Sequence, residues 1–135
     1  MISTTDPHIN RVPRNMSREE WETRVQLAAA YRLAAKFGMT DLIYTHISAR
    51  VPGTPDQFLI NPHGWFFDEI TASSLVRIDV NGQPIGDERF EVNAAGFTIH
   101  SALHMARHDV ECVVHLHTTA GMAVVAVAFG LARAG

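Results

Sequence analysis

The chain has a single cysteine, Cys112, which excludes an intrachain disulfide framework. That residue lies in an apolar run, where a free thiol is expected to behave as a small buried hydrophobe, and the expected compartment is a reducing cytosol. Long hydrophobic runs are also missing. The longest, AGMAVVAVAFGLA from Ala120 to Ala132, is too short to span a bilayer and contains two glycines, so a buried helix is expected there. The N-terminal MISTTDPHINRVPRNM lacks the continuous apolar core of a secretory signal, and residues 1–16 read as a mobile arm. No dense Lys/Arg cluster occurs and the net charge is -3, which argues against nucleic acid or an anionic membrane as partner. Small molecules and proteins remain.

What is present suits one globular domain over residues 17–135: 47% of the chain is apolar and 19% charged, enough to build a core. Ser17 followed by Glu20 is a capping-box pattern, and apolar Trp21, Val25, Ala28, Leu33 and Phe37 follow at near-helical spacing, predicting a helix that ends near Gly38. LIYTHISARV, Leu42 to Val51, is rich in β-branched residues and alternates Tyr44, His46, Ser48 and Arg50 against Ile43, Thr45, Ile47 and Ala49, predicting a strand with one polar face. QFLIN and VRIDV predict two more strands, and Asn81-Gly82 is the strongest local turn signal. TASSL reads as a single helical turn capped by Thr71. The close spacing of the three strands suggests an antiparallel meander. A helix capped by Asn93 follows through AAGFTIHSALHMARH, then a strand VECVVHLH and a final helix.

Two clusters of histidine carry the chemistry. In CVVHLHTTAG, His115 and His117 stand two apart, so an extended backbone turns them to one side with Cα atoms roughly 6.5 Å apart. Cys112, Val114 and Leu116 would then face the core. Neutral imidazoles suit zinc, iron or manganese, yet H-x-H is a short pattern and by itself reads more readily as two polar residues on the wet face of a strand. His100, His104 and His108 fall at i, i+4, i+8 of one helix; successive pairs can meet, but three cannot share one tetrahedral ion from a straight helix. His100 is expected partly buried near the sheet, with His104 and His108 nearer solvent.

YTHISARV, then FLINPHGWFFDEITASSLVRID, then NAAGFTIHSALHMARHDVECVVHLHTTAG together resemble the N-terminal part of the class II aldolase/adducin family, most closely its adducin-like branch. The resemblance runs from about Ser17 to Ala123. It implies a three-layer α/β/α domain with a central, largely antiparallel sheet, C-terminally truncated, whose relatives form cyclic tetramers. In the family's aldolases an H-x-H pair and a later histidine bind zinc, which stabilises the enediolate formed as a carbon-carbon bond breaks. The resemblance therefore implies that His115 and His117 hold a divalent metal, zinc foremost, with iron or manganese as alternatives.

Three departures accompany it. The position of the aldolases' acid/base glutamate is Gly96, and the serine pair that helps hold substrate phosphate falls on Ala94 and Ala95. Thr45-His46 stands where the family has Gly-Asn, and His63 replaces a threonine beside Gly64, which matches the glycine of a phosphate loop and is the expected substrate-binding position. No histidine follows His117. Candidate proton-transfer groups are His46, His63 and Glu91. The expected function is a metal-dependent lyase acting on a small hydroxy-carbonyl compound, in a cytoplasmic homo-oligomer. The alternative is a non-catalytic adducin-like scaffold or a truncated remnant.

Overall fold

A computed structural model describes residues 12–86, 90–92 and 94–133. The predicted helix cap Asn93 and most of the predicted arm lie outside them. Helix α1 spans Arg18–Lys36, and the Ser17 hydroxyl accepts from the Glu20 N–H at 3.1 Å, the cap the sequence predicts. Three strands follow, β1 (His46–Val51), β2 (Thr54–Ile60) and β3 (Val76–Asp79), then α2 (Ala94–Ala106), β4 (Cys112–His115) and α3 (Thr119–Arg133). The sheet order is β3-β2-β1-β4 with every pairing antiparallel, so β1 to β3 form the expected meander and β4 crosses over to pair with β1.

The sheet separates two apolar layers. Odd residues of β1, Ile47 and Val51, pack with Leu59 under Leu27, Ala28, Tyr31 and Ala34 of α1 and under Phe67, Ile70 and Leu75 of the β2–β3 connection. On the other face Phe58, Ile60, Val76 and Ile78 meet Phe97 of α2. Tyr31 ties the first layer together. Its hydroxyl accepts from the N–H groups of Ile47 (2.9 Å) and Asn61 (3.2 Å), and its proton faces the Ile47 carbonyl and the Asn61 side-chain oxygen. Burial pushes its pKa far above the ordinary phenol value, outweighing the opposite pull of the hydrogen bonds at Ile47 and Asn61, so it stays a neutral donor. Buried Glu20 bridges Arg24 (2.9 Å) and Arg77 (2.7 Å), fastening α1 to β3.

Several sequence expectations are corrected. Residues 42–45 are not strand: Leu42 has φ 48, in the left-handed region, and the Tyr44 N–H donates to the Asp41 carbonyl at 2.9 Å, closing a turn before β1. TASSL is a hydrogen-bonded turn, not helix, with Thr71 and Ser74 exchanging backbone–hydroxyl bonds of 2.9 and 3.2 Å. The expected polar face of β1 is present but buried, because α2 covers it and its His100 and His104 bond Ser48. Cys112 and Val114 are exposed instead of packed, since β4 is an edge strand. Residues 121–127 of α3 are exposed too, including Met122, Val124, Val125 and Val127.

Candidate metal centre

The register of β1 against β4 sets His46 opposite His115, Ile47 opposite Val114 and Ser48 opposite Val113. His46 and His115 therefore share one face at one end of the pair. Their rings lie near-parallel with centroids 5.8 Å apart. His117 lies two residues past the end of β4, and its Nε2 approaches the His115 Nε2 to 3.2 Å. The strand stops short of the predicted Val110–His117 span, yet the two imidazoles still converge.

Two nitrogens bound to one tetrahedral zinc, each about 2.0–2.1 Å from it, stand roughly 3.3–3.4 Å apart. The His115–His117 spacing matches. The donor chemistry also fits: burial, then the neighbouring His117, holds His115 below the ordinary imidazole range, so the neutral ligating form dominates near pH 7. Among the described residues, no group of three or more His, Cys, Asp or Glu converges to hold an ion. The described residues thus offer two imidazoles at the spacing of a tetrahedral ligand pair.

Asp41, which the sequence reading did not single out, stands 2.8 Å through its Oδ2 from the His117 Nδ1. No local pattern marks it, because the partners are 76 residues apart.

His46 is 4% exposed, and neither ring nitrogen has a hydrogen-bond partner among the described residues. Burial pushes its pKa down to about 4, with charge on His115, His117 and His63 adding to the effect. The ring lies against Gly96 of α2. A Cβ at residue 96 would meet His46 Cδ2 at 2.9 Å and Cγ and Nε2 at 3.0 Å. The histidine at 46 and the glycine at 96, two separate departures in the sequence, are one packing solution: the imidazole occupies the space a side chain at 96 would need.

Beyond His46, Ser48 Oγ lies 2.6 Å from His100 Nδ1 and 2.8 Å from His104 Nε2. All three residues are buried. The expectation that His104 is nearer solvent is therefore corrected: its ring stacks on Phe58 at 4.8 Å, and Ser48 satisfies one of its nitrogens. His108 is exposed as expected. Burial depresses His100 to about 3, with His46, His104 and His115 contributing, and His104 to about 4, with the Arg50 charge contributing.

The remaining candidates stand apart. His63 is exposed, and its backbone N–H donates to the Glu91 carbonyl at 2.7 Å, which brings those two segments together by main chain. The Glu91 side chain is exposed. Gly64 has φ 80 and open space where a side chain would be, as a turn glycine needs.

An antiparallel sheet between helices, with an H-x-H pair at the end of its edge strand, makes this an α/β protein. The profile described as Class II Aldolase and Adducin N-terminal domain matches residues 25–133, and the chain belongs to that family. It is 62% identical over 113 residues to a Pseudomonas aeruginosa protein provisionally named an aldolase class 2 protein, spanning 84% of this chain and 43% of that one. Rat α-adducin is 50% identical over 110 residues, spanning 80% of this chain and 15% of the adducin. Among solved structures, an aldolase II superfamily protein from Pseudomonas syringae superposes with TM-score 0.77 at 57% identity, over 82% of this chain and 44% of its own. L-fuculose 1-phosphate aldolase from Glaciozyma antarctica superposes with TM-score 0.73 at 34% identity, over 86% and 49%. The chain spans less than half the length of these relatives.

Proposed function

We propose that the chain carries the metal-binding half of a class II aldolase-like lyase site for a small hydroxy-carbonyl compound. The observation that supports this best is the 3.2 Å approach of the His115 and His117 Nε2 atoms. These two residues would hold a divalent ion, zinc by preference, since neutral imidazoles in tetrahedral geometry suit it, with iron or manganese as alternatives. The ion would supply Lewis-acid stabilisation of negative charge developing on substrate oxygen.

The protein's own part is positional. His46, walled in by Gly96 and His115, is the buried imidazole nearest the pair, and it is the best-placed group to take or give a proton where residue 96 has no side chain. His63 and Glu91 present exposed side chains and are second to it. Gly64, in an open turn, suits close approach of a substrate to the backbone. The expected setting is a cytoplasmic homo-oligomer. No helix among the described residues is long and apolar enough to cross a membrane.

Elemental analysis tests the reading. The purified protein should contain stoichiometric zinc, iron or manganese, and His115→Ala with His117→Ala should contain none. A metal-free wild type that also fails to take up added Zn2+ rules it out. That outcome would favour a non-catalytic scaffold, a reading drawn from the likeness to α-adducin and from the lack of a carboxylate at residue 96.

A further inference from the structure

We propose that Asp41 is the positioning residue of this centre: its carboxylate dictates which nitrogen of His117 bears the proton and so aims the other at the ion. The inference rests on the metal-centre reading above. The first observation behind it is the 2.8 Å contact between Asp41 Oδ2 and His117 Nδ1. An ionised carboxylate only accepts, so a neutral imidazole must donate to it from Nδ1, leaving the Nε2 lone pair free. That Nε2 is the atom 3.2 Å from His115 Nε2. With His117 accepting across that contact, the bridging proton belongs to His115 Nε2 in the metal-free protein. One carboxylate thereby sets the sense of both rings.

The second observation is in the backbone. Leu42, directly after Asp41, sits at φ 48, a conformation that disfavours bulky side chains, and it is 61% exposed, so no packing of its own accounts for it. The turn from Asp41 to Tyr44, closed at 2.9 Å, carries the chain from the end of α1 into β1 and leaves the carboxylate beside the end of β4. The unfavourable backbone geometry falls immediately after the residue that reaches His117.

The two ligands are consequently unequal. His117 already has the tautomer a cation needs at Nε2. His115 does not: its Nδ1 is buried with no partner among the described residues, and its proton must shift from Nε2 to Nδ1 before both Nε2 atoms face an ion. A carboxylate behind a ligating imidazole fixes ring orientation and raises basicity, and its loss typically lowers metal affinity about 10–100-fold.

The test compares chelator-stripped wild type, Asp41→Asn and Asp41→Ala by Zn2+ titration, with 15N chemical shifts of His117 read in the metal-free state and melting temperature as a fold control. Wild type should show His117 protonated at Nδ1. Asp41→Ala should move His117 toward a mixture containing Nε2–H and weaken Zn2+ binding about 10–100-fold, while Asp41→Asn, whose amide oxygen still accepts, should fall between. Wild-type affinity and an unchanged His117 tautomer in a folded Asp41→Ala would overturn the positioning role. Failure of wild type to bind Zn2+, with the His117 tautomer still dependent on residue 41, would overturn the metal reading and leave the hold of Asp41 on His117 standing.

Discussion

The contact between His46 and residue 96 can be tested by a sign reversal. Adding one methyl group as Gly96→Ala forces a Cβ to within 2.9 Å of a ring that is itself buried, and overpacking of this kind costs about 1–3 kcal/mol. Gly96 is also helical, where alanine is intrinsically the better residue by about 0.5–1 kcal/mol. In a His46→Ala background the clash is gone, so the same Gly96→Ala change should become neutral or stabilising by up to about 1 kcal/mol. Urea denaturation of the four proteins measures this cycle, and an equal cost of Gly96→Ala in both backgrounds would show that the imidazole is not what residue 96 accommodates. Cys112 illustrates how a residue-level guess fails: hydrophobic neighbours in sequence suggested burial, whereas its place on an edge strand decides its exposure.

At the level of elements, the seam between β1 and α2 is closed by a hydroxyl and two imidazoles in place of hydrocarbon. Ser48→Ala leaves His100 Nδ1 and His104 Nε2 without their buried partner and should cost about 1–3 kcal/mol, read by chemical denaturation; a loss under 0.5 kcal/mol would contradict the bridging role. The same seam makes stability depend on pH. His100 and His104 fall to about 3 and about 4 in the fold, below the ordinary value of 6.5, because burial, the facing imidazole of His46 and the Arg50 guanidinium all oppose their charging. A depressed basic group is protonated first in the unfolded chain. Stability is therefore complete above pH 6.5 and falls as the pH drops toward 4, by on the order of 2 kcal/mol for each histidine at pH 5. Unfolding free energies at pH 7, 6 and 5 should decline in that order, and a flat profile would refute the assignment. The meander and the first helix were legible because local signals encode them: a Ser17/Glu20 cap, alternation along β1, an Asn-Gly turn. Burial of the β1 polar face was not, because the groups that satisfy it come from α2, more than 50 residues away. Asp41 was hidden for the same reason.

For the molecule as a whole, apolar surface is distributed unevenly. Val114 on the β4 edge and Met122, Val124, Val125 and Val127 on α3 are all more than half exposed, a combination that favours self-association through an unpaired strand edge and an uncovered helix. Sedimentation velocity should show mass rising with concentration. Val114→Lys with Val124→Glu should shift the protein toward monomer; a monomer at all concentrations in the wild type would refute this. The edge position of β4 has another effect. Among the described residues its strand is paired on one side only, which leaves the β1–β4 pairing, His115 opposite His46 included, open to fraying. A cation gripped by His115 and His117 would act as a clasp at that margin, so amide exchange along Val113 to His115 would slow with occupancy, and the order of the sheet border would report whether the ion is in place.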